Sequence, residues 1–496
     1  MYETLIRGAT IIDGSGAPAF AADVAIVNER ISLHLAGSNI HAHTEIDAEG
    51  LFLAPGFIDV HTHDDTHVIK APEMRAKITQ GVTTVIVGNC GISASPVTLT
   101  GEPPNPMNLL GKQSDFSYPT FQDYVSAVEA AQPAVNVGAL VGHTALRSNH
   151  MDDLMRPATR LEIDAMKKQL REAMAQGALG LSSGLAYNSA INATTEEVMA
   201  LVEELARFDG IYTTHLRTEF DGIIEAMNEA FATAKHGKIP LIVSHLKCAG
   251  AGNWGRSSEI IKHLEHHAQS QKIACDCYPY SASSSTLDLG QVTDDYDVFI
   301  TWSEPHPEMG GRLLAEIAAD WKLPLLDAAK KLIPAGAVYH GMDEKDVRNI
   351  LRFPRTMIGS DGLPNDPHPH PRLWGTFPRV IGHYARDLGL FDLPVAVRKM
   401  TGLSAEEFKL HQRGLIAQNY FADLVLFNID RIKDTATFER PQQSAAGIEK
   451  VWVNGHLSYS SGQLSAQRAG KFLARAVQSP STSSLVLCEE TLCFLT

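Results

Sequence analysis

The chain has 496 residues, 44% of them hydrophobic and 20% charged, with a formal net charge of −15. That is an ordinary globular composition with material for more than one domain, and the acidity and the lack of a dense Lys/Arg run argue against a nucleic-acid or anionic-membrane partner. Six cysteines in this length make no disulfide framework, no apolar run is long enough to span a bilayer, and "MYETLIRGATIIDG" is no secretory leader, so a cytoplasmic enzyme is expected.

Residues 1–55 alternate in short strands ("ETLIRGATIID", "DVAIVNERI", "EGLFLAPG") punctuated by turn residues. Eight apolar runs follow at 58–63, 83–88, 135–141, 177–183, 210–215, 239–245, 273–278 and 356–361. Helical patterns such as "TRLEIDAMKKQLREAMAQG" separate most of them. The alternation predicts an α/β fold, a (β/α)₈ TIM-like barrel over 56–410. Between the seventh and eighth runs, 281–345 opens with "SASSST" and contains the helical "KLPLLDAAKKLI". So long a connection predicts a lid or a pocket wall. Strand patterns return over 411–476 ("FADLVLFNI", "IEKVWVNG", "LSYSSGQL"), and pairing them with 1–55 predicts a small β-sandwich domain built from both chain ends. The tail 477–496 is Ser-rich, then abruptly apolar, and fits neither pattern.

Potential metal ligands stand at the ends of several runs: His61 and His63 in "DVHTHDD", Cys90 in "VIVGNCG", His215 in "YTTHLR", His245 in "IVSHLK" and Asp361 in "IGSDGLP". His61 and His63 alternate across one residue, so on a strand both imidazoles share a face. His, Cys and Asp gathered at one barrel mouth form a site for Zn²⁺, and an incomplete shell leaves room for a reactive water; the pattern points to metal-assisted hydrolysis. Taken singly, His215 or His245 reads as a satisfied core histidine, Cys90 as a small hydrophobe and Asp361 as a turn residue. Their recurrence at successive strand ends favours the site, with Asp361 as the base beside the metal. Cys248, Cys275 and Cys277 read as packing or support. His143 in "LVGHTALR" lies near enough to the mouth to steady a ligand, and Gly81, Gly88 and Gly91 fit tight turns or close backbone approaches. A reading from another class, a non-enzymatic binding barrel with a structural zinc, requires a closed four-ligand shell.

"PGFIDVHTHDD", the strand-end histidines and "GSDG" together resemble the amidohydrolase superfamily. "GNCGIS", "GLSSGLAY", "THLRTE", "SHLKCAG", "DCYPY", "SDGLPNDPHPHPRLWGTFPRV" and "GIEKVWVNG" resemble the D-aminoacylase (N-acyl-D-amino-acid deacylase) family, over residues 1 to about 476. The resemblance implies a tightly held zinc on Cys90, His215 and His245, and a second, weaker metal position at His61, His63 and Asp361. It also implies that Lys247, Arg372, Tyr278 and Tyr187 bind the α-carboxylate of a small N-acyl-D-amino-acid substrate, with Ser284, Ser285 and Thr286 nearby. Arg suits that task by its planar fork of donors. The strand-four region "ALGLSSGLAY" offers no Lys, whereas cyclic-amidase (hydantoinase-like) relatives use a carboxylated Lys there, so the deacylase branch is favoured. Deacylases for acidic D-amino acids carry an additional Arg after the Ser/Thr run, where this chain reads "SSSTLDLGQVTDD"; neutral or hydrophobic side chains are therefore expected, with a D-glutamate/D-aspartate type as the alternative. Leu246 departs from the family, in which a second His often follows the ligand His.

Overall fold

The computed structural model describes residues 1–475, so the tail 477–496 lies outside the described residues. Eight parallel strands follow one another in order: Phe57–Asp59, Val82–Val87, Asn136–Ala139 (continued by Val141–Gly142), Gly180–Gly184, Ile211–His215, Leu241–Val243, Ile273–Cys277 and Thr356–Ile358. Each is hydrogen-bonded to its neighbour in sequence, except that the third is broken at Leu140, whose N–H reaches Val87 O. A parallel bridge between Thr62 and Gly362 joins the eighth back to the first. The α/β class follows from these strands and the helices between them.

Two apolar layers hold this arrangement. Ile58, Val60, Ile86, Leu140, Leu179, Ile211, Ile242, Ala274 and Met357, in or next to the eight strands, make one buried cluster with Leu403, Ala405, Phe408 and Leu410. A larger cluster joins the alternate strand residues to the helices. Helix Arg160–Ala175 shows how the sequence builds that layer. Thr159 caps it, its side chain accepting from Glu162 N–H in a capping box, and Met166, Leu170, Ala173 and Met174 make its buried stripe.

The two chain ends share one sheet of ten strands. Phe52–Pro55 pairs antiparallel with Leu424–Phe427, and that seam joins the N-terminal strands to Ile448–Val453, His456–Ser460 and Gln463–Leu464. Ile6, Val24, Ile26, Ile31, Leu53, Leu424, Leu426 and Trp452 form its core. The excursion between the seventh and eighth strands holds a four-stranded sheet, Ser283–Thr286, Ala335–Tyr339, Val298–Ser303 and Arg312–Leu313, and two helices, Leu314–Trp321 and Leu325–Leu332. It has a core of its own that includes Ile300, Leu314, Ile317, Leu332 and Ala337. No helix among the described residues is long and apolar enough to cross a membrane.

Ile211 is 1% and Leu161 82% exposed. Ile211→Ala should lower the unfolding free energy by about 2–5 kcal/mol, whereas Leu161→Ala should stay within ~0.5 kcal/mol. Urea denaturation of the two variants measures both.

Candidate active site

The side chains that fill the interior alternate along each strand, and the alternation carries on into the loops. Ile86, Ile211, Ala274 and Met357 belong to the interior cluster, and even-numbered steps along the chain lead to Cys90, His215, Asp276 and Asp361. Three of the expected ligands lie just past their strands, where the backbone turns into the left-handed region: φ is +53° at Cys90, +34° at His245 and +49° at Asp361. A non-glycine residue there costs on the order of 1–3 kcal/mol, and such residues persist where the surroundings over-determine them. Gly359 makes the close approach possible, since a Cβ there would stand 2.4 Å from His61 Cβ. Gly81, Gly88 and Gly91 all have φ between +75° and +86°.

These turns bring the expected ligands together. His61 Nε2 lies 3.2 Å and His245 Nε2 3.3 Å from Cys90 Sγ. His63 Nε2 is 3.1 Å and His61 Nε2 3.6 Å from Asp361 Oδ1. His215 and His245 rings pack edge to face with centroids 4.5 Å apart. Tetrahedral zinc with bonds near 2.3 Å to sulfur and 2.0–2.1 Å to nitrogen or oxygen sets its ligand atoms about 3.3–3.6 Å from one another. The donor spacing and chemistry, one thiolate with imidazoles and carboxylates, therefore fit zinc. Among the described residues three donor groups could hold an ion: His61–Cys90–His245, His61–His63–Asp361 and His215–Glu219–His245.

The electrostatics match that task. Burial opposes ionisation of Cys90, but the imidazoles of His61 and His245 outweigh it and hold the thiol well below its usual value. Burial also works against the Asp361 carboxylate, and Arg372, His61 and His63 reverse it, so the group stays ionised. Against its own burial, His63 is pushed up to about 9 by hydrogen bonds to Asp361 and Cys90.

A cavity of about 530 Å³ opens over these donors. His63, His215, His245 and Asp361 line it, together with Tyr187, Lys247, Tyr278 and residues 283–287 of the excursion. Arg372 is fully buried beside Tyr278. Its guanidinium stacks over Tyr278 at 4.5 Å, and its Nη2 donates to Asp361 Oδ2 at 3.0 Å and to Ser284 O at 3.2 Å. Tyr187 OH lies 3.3 Å from His215 Nδ1. Lys247 reaches the cavity, but its ammonium is held by Glu219 at 2.5 Å and by His245 Nδ1 at 2.8 Å. His143 pairs instead with Glu197 at 2.9 Å, beside Arg147. Of the other cysteines, Cys248, Cys275 and Cys277 are buried and free, and Cys488 and Cys493 lie outside the described residues.

Two functional neighbours escape the sequence reading. Glu219 Oε1 lies 2.9 Å from His245 Nδ1, and Glu219 Oε2 lies 3.8 Å from His215 Nε2. Its signal was the i,i+4 spacing from His215 in "THLRTE". Asp276 accepts His245 N–H at 2.9 Å and lies 3.2 Å from His61 Nδ1. An acidic residue enclosed by Cys275 and Cys277 in an apolar strand was the clue to it.

Comparison with known proteins gives these donors a context. A model described as the amidohydrolase family matches residues 44–459. The D-aminoacylase of Alcaligenes xylosoxydans xylosoxydans is 47% identical over 474 residues, covering 96% of this chain and 98% of that protein. A solved D-aminoacylase structure, reported for the functional role of its binuclear metal centre, superposes with a TM-score of 0.93 at 45% identity, covering 96% of this chain and 100% of that one. N-acyl-D-glutamate deacylase from Bordetella bronchiseptica, solved with zinc and a phosphonate mimic of the tetrahedral intermediate, gives a TM-score of 0.92 at 41% identity over the same shares.

Cys90→Ala should weaken Zn²⁺ binding by at least about tenfold. Titration against a chromophoric chelator checks this, and unchanged affinity would remove Cys90 from the ligand set.

Proposed function

Because the chain belongs to the amidohydrolase family and, within it, to the D-aminoacylases (N-acyl-D-amino-acid deacylases), we propose that it hydrolyses N-acyl-D-amino acids to a carboxylate and a free D-amino acid. The reading includes the architecture: a closed (β/α)₈ barrel over 56–410, a small β-sandwich from 1–55 plus 411–476, and 281–345 as lid and pocket wall. Circular parallel strand order and the Thr62–Gly362 bridge support the barrel. The working enzyme is placed in the cytoplasm, where a thiolate ligand stays reduced.

One observation carries the reading. Beside the donor cluster, Arg372 Nε and Nη1, Tyr278 OH and Ser284 Oγ are buried without a hydrogen-bond partner among the described residues. Unpaired buried groups cost about 1–3 kcal/mol each, more when charged. An α-carboxylate drawn to these donors would gain charge-assisted hydrogen bonds from several of them and fix the amide over the metal-ligating groups, which is what orientation of attack requires.

Cys90, His215 and His245 would hold the tight zinc, and His61, His63 and Asp361 a second, weaker one. A zinc held by these residues would supply Lewis acidity for the scissile carbonyl and a lowered pKa for water. Asp361, held ionised, accepts the proton of the attacking water and returns it to the departing amine. Arg372, Tyr278 and Tyr187 keep the substrate in register, and Lys247 completes the clamp from its place beside Glu219.

Side-chain preference follows from the remaining charges. The cavity wall offers Leu287, Leu289, Phe220, Ile333 and Leu363, together with the acidic Asp288 and Glu219. Lys247 is already committed to Glu219 and the α-carboxylate, and the remaining cation, Arg217, is engaged with Glu229 at 2.7 Å. A second carboxylate would meet no partner, so neutral or hydrophobic side chains are preferred over acidic ones.

Initial rates with added Zn²⁺ on N-acetyl-D-methionine, its L form, N-acetyl-D-glutamate and a hydantoin test the reading. Turnover of the D-methionine derivative alone is expected; hydrolysis of the hydantoin alone would move the chain to the cyclic amidases. Asp361→Asn should lower kcat by about 10²–10⁴-fold with the tight zinc retained. Arg372→Ala should chiefly raise KM, by roughly tenfold or more, and unchanged kinetics would remove it from the clamp.

A further inference from the structure

Lys77 sits on the short helix Arg75–Ile78, where the sequence gives no hint of chemistry, and it is 1% exposed. Its ammonium lies 2.8 Å from Asp59 Oδ2, 3.1 Å from Asp64 Oδ2 and 2.8 Å from Ser360 Oγ. All three partners are buried. An ammonium so enclosed holds its place only because these groups replace its water, and each carboxylate needs it in turn.

What distinguishes this triad is where its hydrogen bonds go next. Asp59 Oδ1 accepts from Ser360 N–H at 2.8 Å and from His61 N–H at 3.4 Å. Ser360 Oγ accepts from Gly362 N–H at 3.2 Å. Asp361 thus stands between two peptide N–H groups that are both tied to the Lys77 network, and its own N–H is bonded to His61 O at 2.8 Å. Three consecutive N–H groups are fixed around a residue whose φ of +49° its own backbone disfavours. Asp64, the third partner, directly follows His63.

We propose that Lys77 is a positioning residue for the reaction: its buried ammonium clamps the ends of the first and eighth strands, and so sets His61, His63 and Asp361 about one point. Cys90, His215 and His245 hang from other strands, and among the described residues none of them is hydrogen-bonded or ion-paired to Lys77, Asp59, Asp64 or Ser360. The inference rests on the deacylase reading for its kinetic part, while its metal part does not need turnover.

The experiment compares Lys77→Met, which keeps length and removes charge, with the parent protein. Expected are an unchanged tight zinc equivalent, a second zinc equivalent weakened by about tenfold or more, kcat down by about tenfold or more and KM within about twofold. Parent-like kcat and second-zinc affinity would overturn the proposal. So would a joint loss of the tight zinc and of substrate affinity, which marks a general collapse of the mouth. If Lys77→Met does not fold, Ser360→Ala decides, because it removes the Ser360 Oγ contacts to Lys77 and to Gly362 N–H, the link from the ammonium to the Asp361 turn, and leaves both carboxylates paired. A fall in kcat of about threefold or more at constant KM is expected from it, and an unchanged kcat overturns the proposal. An inactive parent would count against the deacylase reading alone, since the zinc titrations would still report on Lys77.

Discussion

Everything at the mouth answers to one constraint: several anionic groups are brought out of water within a few ångströms of one another. Cys90, Asp361 and Glu219 are all held on the ionised side, and each owes this to named cations or imidazoles rather than to solvent. For Glu219 burial is again the largest opposing effect, and Lys247, His215 and His245 overcome it. Such a cluster is stable only if positive charge is supplied at its centre or its rim. Arg372 and Lys247 supply the rim. A divalent cation at the centre completes the balance, which is why the donor set and the charge pattern lead to the same conclusion.

The strand frame turns this electrostatic demand into geometry. Side chains that alternate inward fill the interior with Ile and Met low in the strands and end in ligands at their upper ends. Where a straight strand would aim the ligand wrongly, the chain bends into left-handed turns at Cys90, His245 and Asp361 and accepts the local cost. From the seventh strand Asp276 holds the His61 imidazole and the His245 backbone N–H, and Glu219 holds the His245 imidazole, so both rings are oriented from behind as well as gathered in front.

Much of this was legible in the sequence, for physical reasons. Period-two and helical patterns mark the strands and the helix Arg160–Ala175 because burial itself is periodic. The ligands were visible because His, Cys and Asp recur where apolar runs stop. The runs 58–63, 239–245 and 356–361 end beyond the observed strands Phe57–Asp59, Leu241–Val243 and Thr356–Ile358, because each run extends to its ligand, which stands in the turn that follows the strand. Long-range pairing left no such trace. No motif singles out Lys77 or Glu219, and the pairing of Lys247 with Glu219 has no counterpart in the local sequence. Their roles depend on partners that only the folded chain brings near, such as Ser360 for Lys77.

The excursion between the seventh and eighth strands has its own sheet, its own pair of helices and its own apolar core, yet it contributes Ser283–Leu287 to the cavity wall. A piece that is stabilised from within can change its sequence without unsettling the frame that holds the metal ligands. Duplication and divergence acting on that piece alone would yield catalysts with the same reaction and different clientele. The same independence makes it a cassette for laboratory recombination, with crossover points after Tyr280 and before Glu344.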